Sequence, residues 1–136
     1  MAHPAAWEVV NHAPLDLRPL RVDQLLALLV DPDERLEAEP CEVLGDHRRV
    51  EIALHNLLIN ARTHGRGVAR VRVAGGRIEF HDRGAGVAVE RLELPPAAEV
   101  TAGSGLALVR RVAALHGGRL ELTPVVALVL PQAGER

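Results

Sequence analysis

Apolar positions change their period along the chain, and each change marks an element. Val22, Leu25, Leu26, Leu28, Leu29 and Val30 predict a short apolar helix. It stops before Asp31-Pro32, because a residue preceding proline is pushed out of the helical region. Residues 35–39 alternate weakly, as an edge strand would. Gly45-Asp46 opens the strongest helical segment, with Asp46 suited to cap it. Val50, Ala53, Leu54, Leu57, Leu58 and Ala61 then recur at three and four and form one stripe for burial. Gly65 and Gly67 close that helix.

From there the period drops to two. Val68–Ala74 and Arg77–Phe80 alternate across Gly75-Gly76, a pair suited to a hairpin turn. Residues 87–103, with Pro95 and Pro96 and no clear period, read as a flap. Gly103, Ser104, Gly105 and Leu106 begin a last helix with Leu106, Val109, Ala113 and His116 on one face, ended by Gly117-Gly118. Residues 120–122 and 125–130 add two strands that turn at Thr123-Pro124. Residues 1–14 carry two prolines and little periodicity, so they read as a leader or the remnant of an upstream segment, and residues 15–136 as one domain.

Composition narrows the class. A chain of 136 residues, 48% hydrophobic and 25% charged, is globular and has room for one core. Its cations are all arginine, and a formal net charge of −2 gives no general pull toward nucleic acid. The single cysteine, Cys41, permits no internal disulfide and suits a reducing, cytoplasmic setting. The apolar run near Leu25 is far short of the roughly 20 residues of a membrane helix. No direct membrane contact is expected from this domain, and any anchor would lie outside it. Seven histidines without paired ligand spacing do not suggest a zinc site. His116 reads as a structural residue at a helix end, where a cation is favoured, and Cys41 as inert.

Three segments carry candidate chemistry. Asn56, Asn60 and His64 are spaced by four and stack in a line beside the apolar stripe. Their carboxamides offer hard carbonyl oxygens for Mg²⁺ and donors for phosphate oxygens, although surface asparagines that bond a neighbouring loop have the same pattern. Asp82, Gly84 and Gly86 follow a strand and place a carboxylate beside backbone that can approach a ligand closely. The glycine-rich start of the last helix leaves free N–H groups at a positive dipole end, an arrangement that favours anions.

Asn56-Leu-Leu-Ile-Asn60-Ala, Asp82-Arg-Gly84-Ala-Gly86, Gly103-Ser-Gly105-Leu106 and His116-Gly-Gly together resemble the N, G1 and G2 boxes of the ATP-binding domain of sensor histidine kinases, in their usual order, over about residues 15–131. The resemblance implies an α+β fold of the Bergerat type: a two-layer α/β sandwich whose mixed, mostly antiparallel sheet carries helices on one face. It implies ATP and Mg²⁺ as ligands, with Asn60 holding the metal and Asn56 supporting it. It implies that Asp82 accepts the adenine amino group, that Gly84 and Gly86 leave room for the nucleotide, and that Gly103, Ser104, Gly105 and Leu106 lie at the phosphates.

The implied reaction moves the γ-phosphoryl of ATP to a histidine on a separate dimerisation domain, with a response regulator downstream. The isolated domain would then be a monomer in the cytoplasm, or the cytoplasmic part of a membrane-anchored sensor. This chain departs from the family pattern in three places, one of them Ser104 and Ala107, which replace a leucine and part of the usual glycine-leucine run. Arg62, Thr63 and His64 stand where a lysine and then a tyrosine or histidine are usual, so His64 is the ring left to stack on adenine. Arg62 sits about 200° around a regular helix from Asn60. The flap lacks its phenylalanine, for which Leu92 or Leu94 would substitute. A serine kinase acting on sigma-factor control, and a nucleotide-binding module without catalysis, are the alternative functions.

Overall fold

The computed structural model describes residues 4–84 and 105–134. Gly86, the flap at 87–103 with Leu92 and Leu94, Gly103 and Ser104 lie outside the described residues. The elements, in chain order, are α1 (Pro4–His12), β1 (Arg18–Arg21), α2 (Val22–Leu29), β2 (Arg35–Ala38), β3 (Glu42–Gly45), α3 (His47–His64), β4 (Val68–Ala74), β5 (Arg77–Asp82), α4 (Gly105–Leu115), β6 (Arg119–Glu121) and β7 (Val126–Val129).

Five strands form one sheet in the order β2-β4-β5-β7-β6, and β1 pairs with β3 in a second, two-stranded sheet. Every pairing in the large sheet is antiparallel except that of β2 with β4. The sheet is therefore mixed and mostly antiparallel, as expected. The weakly alternating residues 35–38 do form an edge strand, β2.

The hairpin turn follows from its glycines. Gly75 and Gly76 have φ of 60° and 81°, the left-handed values that a two-residue turn matching strand twist requires. On β5, Ile78 and Phe80 face inward and are buried, while Arg77, Glu79 and His81 face out. The outward set is cross-linked: Arg77 donates to Glu79 and Glu121 at 2.7 Å each, and His81 lies 3.0 Å from Glu79. Among the described residues, α3 and α4 cover the inner face. Val71, Val73, Ile78, Phe80 and Leu128 meet Leu54, Leu57, Leu58, Leu108, Val109 and Val112 in one cluster. Burying each leucine there stabilises the fold by about 1.5–3 kcal/mol.

Three expectations change. Residues 4–12 are not without an element: they form α1, with Val10 buried against α3 and α4. Pro4 is the first helical residue, where its missing N–H loses nothing, and Pro14 falls beyond the end, so the two prolines bracket a helix rather than break one. Strands β1 and β3 had no counterpart in the sequence pattern. Leu28, counted in the apolar period of α2, is 83% exposed because it faces away from α3.

Candidate functional site

Helix α3 positions one side of the site. Asp46 caps it, accepting from the Arg49 amide at 3.1 Å. Gly65 ends it, with the amides of Gly65 and Gly67 both donating to the Ala61 carbonyl at 3.0 Å. Every predicted stripe residue, Val50, Ala53, Leu54, Leu57, Leu58 and Ala61, is buried. The line of polar residues beside it is only half covered at Asn56 and Asn60, and His64 is exposed.

Asn56 donates from Nδ2 to the Ile52 carbonyl one turn back, at 2.8 Å. Its Oδ1 is thereby aimed at the start of α4. A Cβ placed on Gly105 would lie 2.9 Å from that oxygen, so the first residue of α4 has to be glycine for the two helices to meet there undisturbed. Asn60 has no hydrogen-bond partner among the described residues, which leaves its carbonyl and both its donors for something else. Leu106 is buried under the first turn of α4.

Asp82, the last residue of β5, pairs across the sheet with Val68. It packs directly on the end of α3: a Cβ on Gly65 would come within 2.5 Å of Asp82 Cβ and 2.8 Å of its Cγ. The turn after Asp82 is stitched to the turn after α3, with Arg83 N donating to Gly67 O and Gly84 N to Gly65 O, both at 3.0 Å. Arg83 reinforces this by donating from its guanidinium to Val68 O and Asp33 O. The half-buried carboxylate of Asp82 itself has no partner among the described residues.

The structure thus brings Asn56 to Gly105 at one point of α3 and Asp82 to Gly65 at another, about 14 Å further along its axis at 1.5 Å per residue. Asn60 lies between them. Amide donors and a helix N-terminus suit the polyphosphate end of a nucleotide, and a lone carboxylate suits the base. The role of Gly65 was hidden in the sequence, where it reads only as a helix stop; a glycine between an asparagine-bearing helix and the strand that ends in the aspartate was the available signal.

Arg62 does not turn toward Asn60. It donates to Glu34 from Nε at 2.7 Å and from a terminal nitrogen at 2.6 Å, and also to Leu29 O. The Arg62 side-chain bonds hold the Glu34 carboxyl below the usual carboxylate range, and Glu34 in turn raises the Arg62 guanidinium.

His116 is also corrected. It is not a cation at a helix end: Nε2 accepts from the Asp46 amide at 3.0 Å, so the bond needs that nitrogen unprotonated, and Nδ1 then carries the proton and donates to Val112 O at 2.7 Å. Burial opposes ionisation of Asp46, but the amides of Asp16 and Arg49 and then the Arg49 guanidinium outweigh it and keep the carboxyl below its ordinary range. Cys41 is buried, accepts from Gly76 N at 3.3 Å, and has its thiol pushed up by burial, which fits an inert residue.

Residues 45–134 match the family of histidine kinase-, DNA gyrase B- and HSP90-like ATPases, and the chain belongs to it. Within that family the proteins it is similar to include a sensory kinase and an ATP-binding domain solved by itself, and the chain is an ATP-binding domain of this kind. It is 28% identical to the ATP-binding domain of PrrB from Mycobacterium tuberculosis, with a TM-score of 0.60 over 88% of this chain and 99% of that one. It is 26% identical, with a TM-score of 0.61, to full-length ShkA in complex with AMPPNP, over 88% of this chain and 32% of that one. The adaptive-response sensory-kinase SasA of Prochlorococcus marinus subsp. pastoris is 27% identical in an alignment 139 residues long that covers 84% of this chain and 37% of that protein. The chain thus spans little more than a third of that curated relative. No helix among the described residues is long and apolar enough to cross a membrane.

Proposed function

We propose that α3, the start of α4 and the end of β5 border a groove that binds Mg²⁺–ATP, and that the domain passes the γ-phosphoryl group to a histidine on a separate dimerisation domain, which would then supply a response regulator. The observation that carries this is the placement of Asn56 against Gly105 and of Asp82 against Gly65, with unpartnered Asn60 between them. Asp82 accepts the adenine amino group, and Gly84 keeps the backbone close to the base. Gly105 and Leu106, at the start of α4, bring its amides to the phosphates, and His64 stacks on the ring.

Asn60 fits a metal site because its half-buried carbonyl is uncommitted and is a hard oxygen donor, with Asn56 behind it. Bound there, Mg²⁺ would neutralise phosphate charge. The chain's own contribution is orientation: amides hold the β- and γ-phosphates in line with the incoming imidazole. The imidazole nitrogen attacks the γ-phosphorus, the bond to the β–γ bridging oxygen breaks, and ADP leaves with the electron pair. We place the domain in the cytoplasm, as a monomer when isolated, with residues 15–136 and the α1 packed on them as its extent.

Arg62 favours one second reading. Because it is committed to Glu34, and Thr63 is neutral, neither of these two residues brings a cation to Asn60, as a domain that binds nucleotide without transferring phosphate would allow. Calorimetry with Mg²⁺ and AMPPNP tests binding: heat of association at micromolar to millimolar nucleotide is expected, and silence up to millimolar removes the proposal. Label moving from γ-³²P ATP to a histidine-bearing dimerisation domain separates kinase from binding module.

A further inference from the structure

Three buried polar side chains, those of Asp46, Arg49 and His116, join α1, α3 and α4 away from Asn56, Asn60 and Asp82. Arg49 is 2% exposed and sits in the first turn of α3. Its guanidinium donates to Val10 O at 3.1 Å, to Pro14 O at 3.2 Å and to Ala13 O, the carbonyls at and just beyond the end of α1 that helix geometry leaves without partners. It also donates to Asp46 Oδ2 at 2.8 Å. Asp46 accepts from the Asp16 amide at 2.9 Å, so the segment from α1 into β1 is held on both sides. The Asp46 amide then donates to His116, and His116 to Val112 on α4. The bonds run without a break from α1, through the start of α3, to the end of α4.

The two helices they tie at this end are the two that meet at the other, where Asn56 Oδ1 faces Gly105 across a gap too narrow for a methyl group. A buried charged pair has few alternative geometries, because leaving either partner unpaired inside the protein is heavily penalised. The angle between α3 and α4 is therefore fixed here, and with it the gap at the phosphates.

Resting on the nucleotide reading above, we propose that Asp46, Arg49 and His116 are positioning residues that set the phosphate end of the groove and make it answer to the docking of α1. Coupling of this kind is reciprocal: whatever moves α1 changes nucleotide affinity, and nucleotide changes how firmly α1 is held. The adenine end is set differently, by Gly65 against Asp82 and by the bonds of Arg83 and Gly84, none of which touches the three residues.

That difference supplies the test. Affinities of the full chain for Mg²⁺–AMPPNP and for adenosine are measured by calorimetry in wild type and in Arg49→Lys, which keeps the charge but cannot span Asp46 and three carbonyls. Emission of Trp7, the only tryptophan, reports α1. The expected result is AMPPNP binding weaker by about tenfold, adenosine binding unchanged and Trp7 emission altered. Equal loss of both affinities, or no loss of either, overturns the proposal. Should Arg49→Lys not fold, Val10→Ala loosens α1 more gently and is expected to give the same split at smaller size, with an even change again overturning it. Wild type that binds neither compound sinks the nucleotide reading itself, whereas wild type that binds both, with variants showing no split, sinks only the positioning role.

Discussion

Two aspartates stand at the two ends of α3, and they are treated in opposite ways. Asp46, 4% exposed, has each oxygen engaged: Oδ1 takes the Arg49 amide, while Oδ2 takes the Asp16 amide and the Arg49 guanidinium. Asp82, half-buried, has a glycine against its β-carbon and no donor on its carboxylate among the described residues. A carboxylate that serves the fold is saturated by the fold. One left with open acceptor positions in a partly desolvated place is held for a ligand that brings its own donors. The same contrast separates Arg49, bound on every side, from Asn60, which makes no bond to any described residue.

Removing each carboxylate is the most direct way to break that contrast. Asp46→Ala strands the buried Arg49 cation and loses the α3 cap, so a destabilisation of about 3–5 kcal/mol is expected in urea unfolding. Asp82→Asn keeps shape and touches no internal bond: stability should hold within about 0.5 kcal/mol. AMPPNP affinity should fall by about a hundredfold, as a polar pairing that selects the base is lost. If Asp82→Asn destabilised the domain as much as Asp46→Ala while nucleotide affinity stood unchanged, the two residues would not differ in kind.

A methyl group at the point where the helices meet sharpens the comparison. In Gly105→Ala the new carbon would lie 2.9 Å from Asn56 Oδ1, and the asparagine has to turn away. Nucleotide affinity is expected to drop by about fivefold, about 1 kcal/mol. Thermal stability should change little, since alanine is the better helix former and offsets the crowding. Retained affinity would mean that Asn56 orientation is not part of the site.

The sequence made the two kinds of residue unequally visible. Asn56, Asn60 and Asp82 are legible because each sits in a local pattern: a four-residue spacing beside an apolar stripe, and a carboxylate at a strand end followed by glycines. Helices α2, α3 and α4 and the β4–β5 hairpin are legible for the same reason, since their periods run long enough to show. The Asp46–Arg49–His116 set is not, because its members are joined across 70 residues and each looks ordinary in place. Strands β1 and β3 are four residues each, pair with one another and gain one further bridge, from Val43 to Gln132, and are too short to display alternation. The helix α1 was obscured by its prolines, and Val10 acquires its meaning only once α3 and α4 lie over it.

Asp23 is an intermediate case, and pH is the way to use it. It accepts from Arg21 at 2.8 and 2.6 Å and from the Cys41 amide at 3.1 Å, but Arg21 is more than a third exposed. The Arg21 hydrogen bonds, chiefly, lower its pKa from 3.8 to about 2. A carboxyl whose folded value lies below its unfolded value contributes stability that is complete above the unfolded pKa and disappears as pH falls through the folded one. Stability is therefore expected to decline between about pH 4 and pH 2, with Asp23 responsible for about 1 kcal/mol of it once solvent screening of the exposed partner is allowed for. Comparing denaturant midpoints of wild type and Asp23→Asn across that range isolates the share, and the variant should show the shallower slope. Identical slopes would mean that this pairing adds nothing to folding. Because Asp23 bonds only Arg21 and Cys41 among the described residues, the variant should leave AMPPNP affinity near pH 7 unaltered, the behaviour of a saturated carboxylate and the opposite of that expected at Asp82.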